Sequence, residues 1–217
     1  EGCFMIRTVV AVSNRGPEPN EGVNVFSGGA APAIYSALGR FPNSFWFSVR
    51  SAASDFALAG KGVLNGDGET VQQGINARTL YVGKGTYNLH YNDDSNSAVW
   101  PALHGQHHRI DRSIDLVAAA EANETVCALL AQNIAKTLEG DTKTPIWVHD
   151  YQLTGVAKHL RRMGVTNPIV YFHHIPIPPP QEIDLLEEPL RNHLIGKLQN
   201  LAYYDTALFQ TGKDARN

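Results

Sequence analysis

Short apolar runs alternate along this chain with stretches whose apolar residues fall three and four apart. That alternation leaves few folds open. Thr8-Val9-Val10-Ala11-Val12 is apolar and β-branched, as a strand buried on both faces must be. Phe45 to Val49, Thr79 to Val82, Pro145 to Val148, Pro168 to Phe172 and Thr206 to Phe209 have the same character. Between them, Ala30 to Leu38 reads as a helix stopped at Gly39. Val126, Leu129, Leu130, Ile134 and Leu138 form a helical stripe ending at Gly140. Leu153, Val156, Leu160 and Met163 form another, and Leu190, Leu194, Ile195, Leu198 and Leu201 a third. The order predicts an α/β fold, a doubly wound, mostly parallel, Rossmann-like sheet covered by helices. From Ser51 to Asn96 the chain is rich in Gly and Asn, and Thr79 to Val82 is the one element assigned there.

A length of 217 residues fits one large domain. The net charge of −3 argues against a general nucleic-acid or anionic-membrane binder but leaves room for one basic phosphate pocket. No apolar run reaches the ~18 residues of a membrane-spanning helix. Cys3 and Cys127 make neither a disulfide framework nor a four-thiolate zinc site, so free thiols in a reducing cytoplasm are expected. No secretory leader is visible, and the expected location is cytoplasmic. Glu1 to Phe4 are set aside, with Met5 expected as the native start.

Ligands of open α/β sheets bind beyond the carboxyl ends of the strands. Four polar groups collect on that edge: Asn14-Arg15, His149-Asp150-Tyr151-Gln152, His173-His174 and Gln210-Thr211. A scaffold needs no such collection, so a small-molecule site is expected there. Gly28-Gly29 before a helix could admit an anion to free N–H groups, although such a pair also serves simply as a loop. Arg15 could hold a phosphate bidentately, or could be a solvated surface residue. Asp150 is read as an acceptor for sugar hydroxyls rather than a metal ligand. His104, His107 and His108 lack a matched further ligand and are read as a polar loop near the site, so no metal is expected. Of His173 and His174, alternation sends one to the core and the other to the crevice.

Ser13-Asn14-Arg15, Gly28-Gly29, Trp100-Pro101, His149-Asp150-Tyr151, His174-Ile175-Pro176-Ile177-Pro178 and Phe209-Gln210-Thr211 occur in that order. Together they resemble the trehalose-6-phosphate synthase family, retaining glycosyltransferases with two Rossmann-like halves in the GT-B arrangement. The resemblance runs from residue 9 to 214. It implies that residues 5–217 are the N-terminal, acceptor-side domain, and that the C-terminal donor-binding domain is absent from this chain. By resemblance, Arg15, Tyr91, Trp100, Asp150 and Gln210 bind the acceptor, Gly29 and His174 bind the donor, and Asp150 and His174 are the catalytic residues. The implied reaction moves glucose from a nucleotide sugar such as UDP-glucose to glucose 6-phosphate. It needs no cofactor and no metal, and this chain alone is expected to be inactive. The implied partners are nucleotide glucose and a sugar phosphate, with homo-oligomerisation left open.

The sequence departs from the family on the acceptor side. Trp46-Phe47-Ser48-Val49 stands where the family often has Trp-x-Gly-Trp, so Val49 replaces an aromatic acceptor contact and Arg50 follows it. Gln152 replaces a histidine, and Gly105-Gln106-His107-His108 a more aromatic stretch. A glucosylglycerol-phosphate synthase, a pseudo-glycosyltransferase and a non-catalytic sugar-phosphate-binding module therefore remain alternatives.

Overall fold

The computed structural model describes residues 7–17, 29–52, 63–64, 69–71 and 74–217. Cys3, Met5 and Gly28 lie outside the described residues. The first half contains β1 (Val10–Val12), α1 (Ala30–Leu38), β2 (Phe45–Ser51), β3 (Val63–Leu64), β4 (Glu69–Val71) and β5 (Ile75–Val82). A continuous helical segment follows: α2 (Lys84–Tyr87), a π-helical stretch Asn88–Val99, and α3 (Trp100–Leu103). The second half contains α4 (Leu116–Thr137), β6 (Ile146–His149), α5 (Val156–Arg162), β7 (Ile169–His173), α6 (Pro180–Ile183), α7 (Glu188–Gln199) and β8 (Thr206–Phe209).

Six strands run parallel in the order β5-β2-β1-β6-β7-β8, and β3 and β4 pair antiparallel with β5 at the edge. This is the mostly parallel α/β sheet expected. The short strand β1 is central, with Val10 level with Phe45 on one side and Ile146 on the other. Alternation divides its residues between two cores. Val10 and Val12 pack with Phe47, Val49, Val148 and the buried faces of α4 and α5. Val9 and Ala11 pack with Trp46 and the Ala31, Ile34 and Leu38 face of α1. Helices therefore cover both faces, so β1 carries no polar residue along its length. A third cluster joins Ala98, Val99, Ala102 and Leu103 to Tyr151 and to Leu190 and Leu194 of α7.

The local signals act as their chemistry requires. Asp115 caps α4, its Oδ1 accepting the Ala118 amide at 3.0 Å. Gly140, at φ +79°, takes the left-handed conformation just past that helix. Cys127 is a buried free thiol, pushed up to about 12 by burial. Most of the helical segment over 84–103 lies in the stretch, ending at Asn96, for which the sequence suggests only one strand. Among the described residues, no helix is long and apolar enough to cross a membrane.

Candidate active site

The chain leaves β1 toward β2 on one side, while β6 lies on the other, so the strand order reverses beside β1. Crevices open at such switch points. A cavity of about 160 Å³ lies there, lined by Ser13, Asn14 and Arg15 beyond β1 and by His149, Asp150 and Gln152 at the end of β6. Gly29, Ala30, Ala31 and Ile34 of the α1 N-terminus and Tyr91 of the helical segment complete it. A larger cavity of about 250 Å³ lies between the 107–116 loop and the start of α7, with Ile110, Ile114, Leu116, Leu186 and Leu190 among its lining. None of the residues expected at the site lines it.

The loop after β1 is fastened to β2. The Trp46 indole N–H donates to Ser13 Oγ at 2.8 Å, and Ser13 Oγ donates to the Arg15 carbonyl at 2.7 Å. Gly16 must be glycine, since a Cβ there would stand 2.3 Å from Ser48 Oγ. These contacts leave the Arg15 side chain exposed, with its guanidinium 5.2 Å from the centre of the Tyr91 ring. Opposite, α1 begins at Gly29 with no side-chain cap and no acidic residue in its first turn. Among the described residues, no side chain caps the first-turn N–H groups or offsets the positive end of the helix dipole at the cavity. Among the described residues, and apart from its chain neighbours, nothing lies within 4 Å of where a Gly29 Cβ would stand, so that backbone is open to a ligand. An exposed guanidinium and a free helix N-terminus on one small cavity make an anion site.

A buried network holds Asn14. Asn123 Nδ2 donates to His90 Nδ1 at 3.0 Å and to the Gln152 carbonyl at 2.9 Å. His90 therefore carries its proton on Nε2 and donates it to Asn14 Oδ1 at 2.7 Å. Burial holds His90 neutral, down to about 3. Sequence reasoning did not find this network. Its members lie far apart in the chain, and no local spacing marks them.

Asp150 sits at φ +74°, ψ 166°, a conformation that essentially only glycine adopts freely. The bend turns the carboxylate back, so that Oδ1 accepts the Tyr151 amide at 3.1 Å and the His174 amide at 3.2 Å. Burial raises its pKa to about 6, against the lowering effect of the two amides. His149, 8% exposed, meets His174 through Nδ1 and Nε2 at 3.0 Å, with the rings stacked at 5.2 Å. His173 points into the core, where the Tyr171 hydroxyl and His173 Nδ1 share a hydrogen bond of 2.7 Å. His173 takes the core side, as alternation predicts for one of the pair, whereas His174 is half-buried against His149 and does not itself line the cavity.

The structure thus brings Arg15, Tyr91, Asp150 and Gly29 to one cavity, with His174 attached to its wall through His149 and Asp150. It does not bring Trp100 or Gln210 there. Trp100 stacks on His104 at 3.9 Å, and the Arg109 guanidinium lies 5.3 Å from its ring centre. Gln210 is exposed beyond β8. Val49 does not stand at the site either. Alternation along β2 turns it into the core, 1% exposed, so a tryptophan there would meet core side chains. Arg50 donates to the Pro17 carbonyl at 2.8 Å and so braces the loop after β1.

The model of glycosyltransferase family 20 matches residues 26–217. The trehalose-6-phosphate synthase of Klebsiella pneumoniae is 33% identical over 206 residues, which are 95% of this chain and 40% of that protein. Among solved structures, the α,α-trehalose-phosphate synthase (UDP-forming) of Burkholderia xenovorans in complex with glucose-6-phosphate superposes with a TM-score of 0.76 at 28% identity. It shares 97% of this chain and 42% of its own. An Escherichia coli structure bound with UDP-2-fluoro glucose gives 0.74 at 27% identity, over 96% of this chain and 41% of its own. The chain spans about 40% of the length of these relatives. The family model covers most of the chain, and the chain belongs to glycosyltransferase family 20.

Proposed function

We propose that this chain is the N-terminal, acceptor-side half of a retaining glucosyltransferase that moves glucose from UDP-glucose to glucose 6-phosphate, forming trehalose 6-phosphate. The observation that carries the reading is the cavity at the switch point, where Arg15, the free α1 N-terminus, Tyr91 and Asp150 converge. It binds an anion by charge and offers a carboxylate and an aromatic face to a sugar. In this reading Arg15 holds the acceptor phosphate and Tyr91 stands beside it. The Gly29 amide faces the donor diphosphate. Asp150 spends Oδ1 on two backbone amides, and its other oxygen accepts from the acceptor's hydroxyls.

The acceptor oxygen forms its bond to the anomeric carbon as the bond to the diphosphate oxygen breaks. The departing diphosphate takes the acceptor's proton on the same face. No enzymic nucleophile, cofactor or metal enters this scheme. The protein positions the reactants and stabilises the leaving charge. The second half, which we propose the full-length protein carries, would hold the rest of the nucleotide sugar. The test is nucleotide release by the full-length protein supplied with UDP-glucose and one acceptor at a time. Release of UDP that requires glucose 6-phosphate is expected. Release with glycerol 3-phosphate but not with glucose 6-phosphate would overturn the acceptor assignment.

A further inference from the structure

The contact between His149 Nδ1 and His174 Nε2, at 3.0 Å, needs one proton between the two nitrogens. The far nitrogen of His149, Nε2, is buried and has no hydrogen-bond partner among the described residues. These two facts select one protonation pattern. If His174 Nε2–H donated, His149 Nδ1 would be the acceptor and His149 would carry its own proton on Nε2. That would strand a buried N–H with nothing to receive it. An imidazolium on either ring ends the same way, since His149 Nε2 is again protonated. A stranded buried N–H is a rarer defect in folded proteins than an unpaired acceptor, so a bare Nε2 is the milder of the two outcomes. The remaining arrangement has both rings neutral, with His149 Nδ1–H donating to His174 Nε2. His174 then carries its proton on Nδ1. Burial lowers the pKa of both rings, His149 to about 3, in keeping with a neutral pair. The rest of the setting is rigid. The rings are stacked 27° from parallel, and the His174 amide is fixed on Asp150 Oδ1. Phe172 packs against His174 at 4.6 Å between ring centres.

We propose that His149 is a positioning residue that locks His174 as its Nδ1–H tautomer, making it a hydrogen-bond donor toward an oxygen of the bound sugar. His149 sets what His174 can offer without itself touching the reacting atoms. That the donated proton meets a sugar oxygen rests on the glycosyl-transfer reading above; the tautomer does not.

The experiment is a two-bond nitrogen–proton correlation spectrum of the chain labelled with ¹⁵N-histidine, which reads for each ring which nitrogen carries hydrogen. His174 and His149 should both show a protonated Nδ1 and a bare Nε2. A proton on His174 Nε2 in the unsubstituted protein would overturn the proposal with no variant needed. His149→Phe keeps an aromatic ring and removes the donor, so His174 should lose its fixed Nδ1–H pattern. His149→Asn sets an N–H near the place of Nδ1 and should restore it. An unchanged His174 pattern in a folded His149→Phe protein would also overturn the proposal. Adding UDP-2-fluoro glucose to the full-length protein tests the other reading. The His174 Nδ1–H signal should shift, and a correct tautomer with an unmoved signal would count against sugar contact alone.

Discussion

Asp150 is held where an ordinary residue would not settle. Its φ of +74° with ψ 166° costs about 1–3 kcal/mol, and burial adds an electrostatic cost by raising its pKa from 3.8 to about 6. The sign follows from linkage. The folded state disfavours the ionised form, so the cost is absent below about pH 4, grows between pH 4 and 6, and is complete above. A shift of about two units amounts to up to about 3 kcal/mol. Asp150→Asn removes the charge and keeps the shape and an Oδ1 acceptor. It should raise the melting temperature at pH 8 and change it little at pH 4, while abolishing transfer in the full-length protein. Equal stabilisation at both values would show that the carboxylate's charge is not the cause. Arg15 behaves oppositely, being exposed and contributing little to the fold. Arg15→Ala should weaken a phosphorylated acceptor by about 1.5–3 kcal/mol and leave donor affinity nearly unchanged, as titration of each would read.

At the scale of elements, the helical segment that carries Tyr91 is held to α7 by a buried charge cluster. Asp94, fully buried, accepts from His193 Nε2 at 2.5 Å and from Lys197 Nζ at 2.9 Å. Burial opposes its ionisation, but Lys197 and His193 outweigh it and bring Asp94 down to about 2. The clamp's stabilisation is therefore present above about pH 4 and is lost as pH falls toward 2. Asp94→Ala strands Lys197 and should cost about 3–5 kcal/mol in urea unfolding. Replacing both partners with apolar residues, Asp94→Leu with Lys197→Met, should recover much of that. A single substitution costing under about 1 kcal/mol would show that the cluster is not a clamp. This segment also marks where sequence reading stopped. Its buried residues, His90, Asp94, Ser95, Ala98, Val99, Pro101, Ala102 and Leu103, recur mainly four apart, and three of the first four are polar or charged. A π-helical pitch and a polar buried face both hide from a search for apolar residues at 3.6 spacing. The six parallel strands and α4 were legible because their signal is local, in β-branched runs and an apolar stripe; the short antiparallel strands β3 and β4 were not. Val49 was misplaced because motif position says which residues are near in sequence, whereas strand alternation decides which side chains reach a cavity.

The whole molecule is one sheet with its recognition groups on one edge, and it spans about 40% of its relatives' length. The groups facing the cavity, Arg15, the α1 N-terminus and Asp150, all come from this sheet and its own helices. Their arrangement uses no residue beyond this chain, so in the proposed reading acceptor recognition resides here. Transfer is different, since the leaving diphosphate must be held as its charge develops. Among the described residues lining the cavity, Arg15 and one helix end offer that charge, and Arg15 is assigned to the acceptor. The chain should therefore bind glucose 6-phosphate in a calorimetric titration, with an affinity that falls as salt rises because an exposed guanidinium supplies the attraction. Given UDP-glucose as well, it should release no UDP above background. Sustained release would show that one half suffices for catalysis. Failure to bind glucose 6-phosphate at any salt would show that acceptor recognition is shared with residues beyond this sheet.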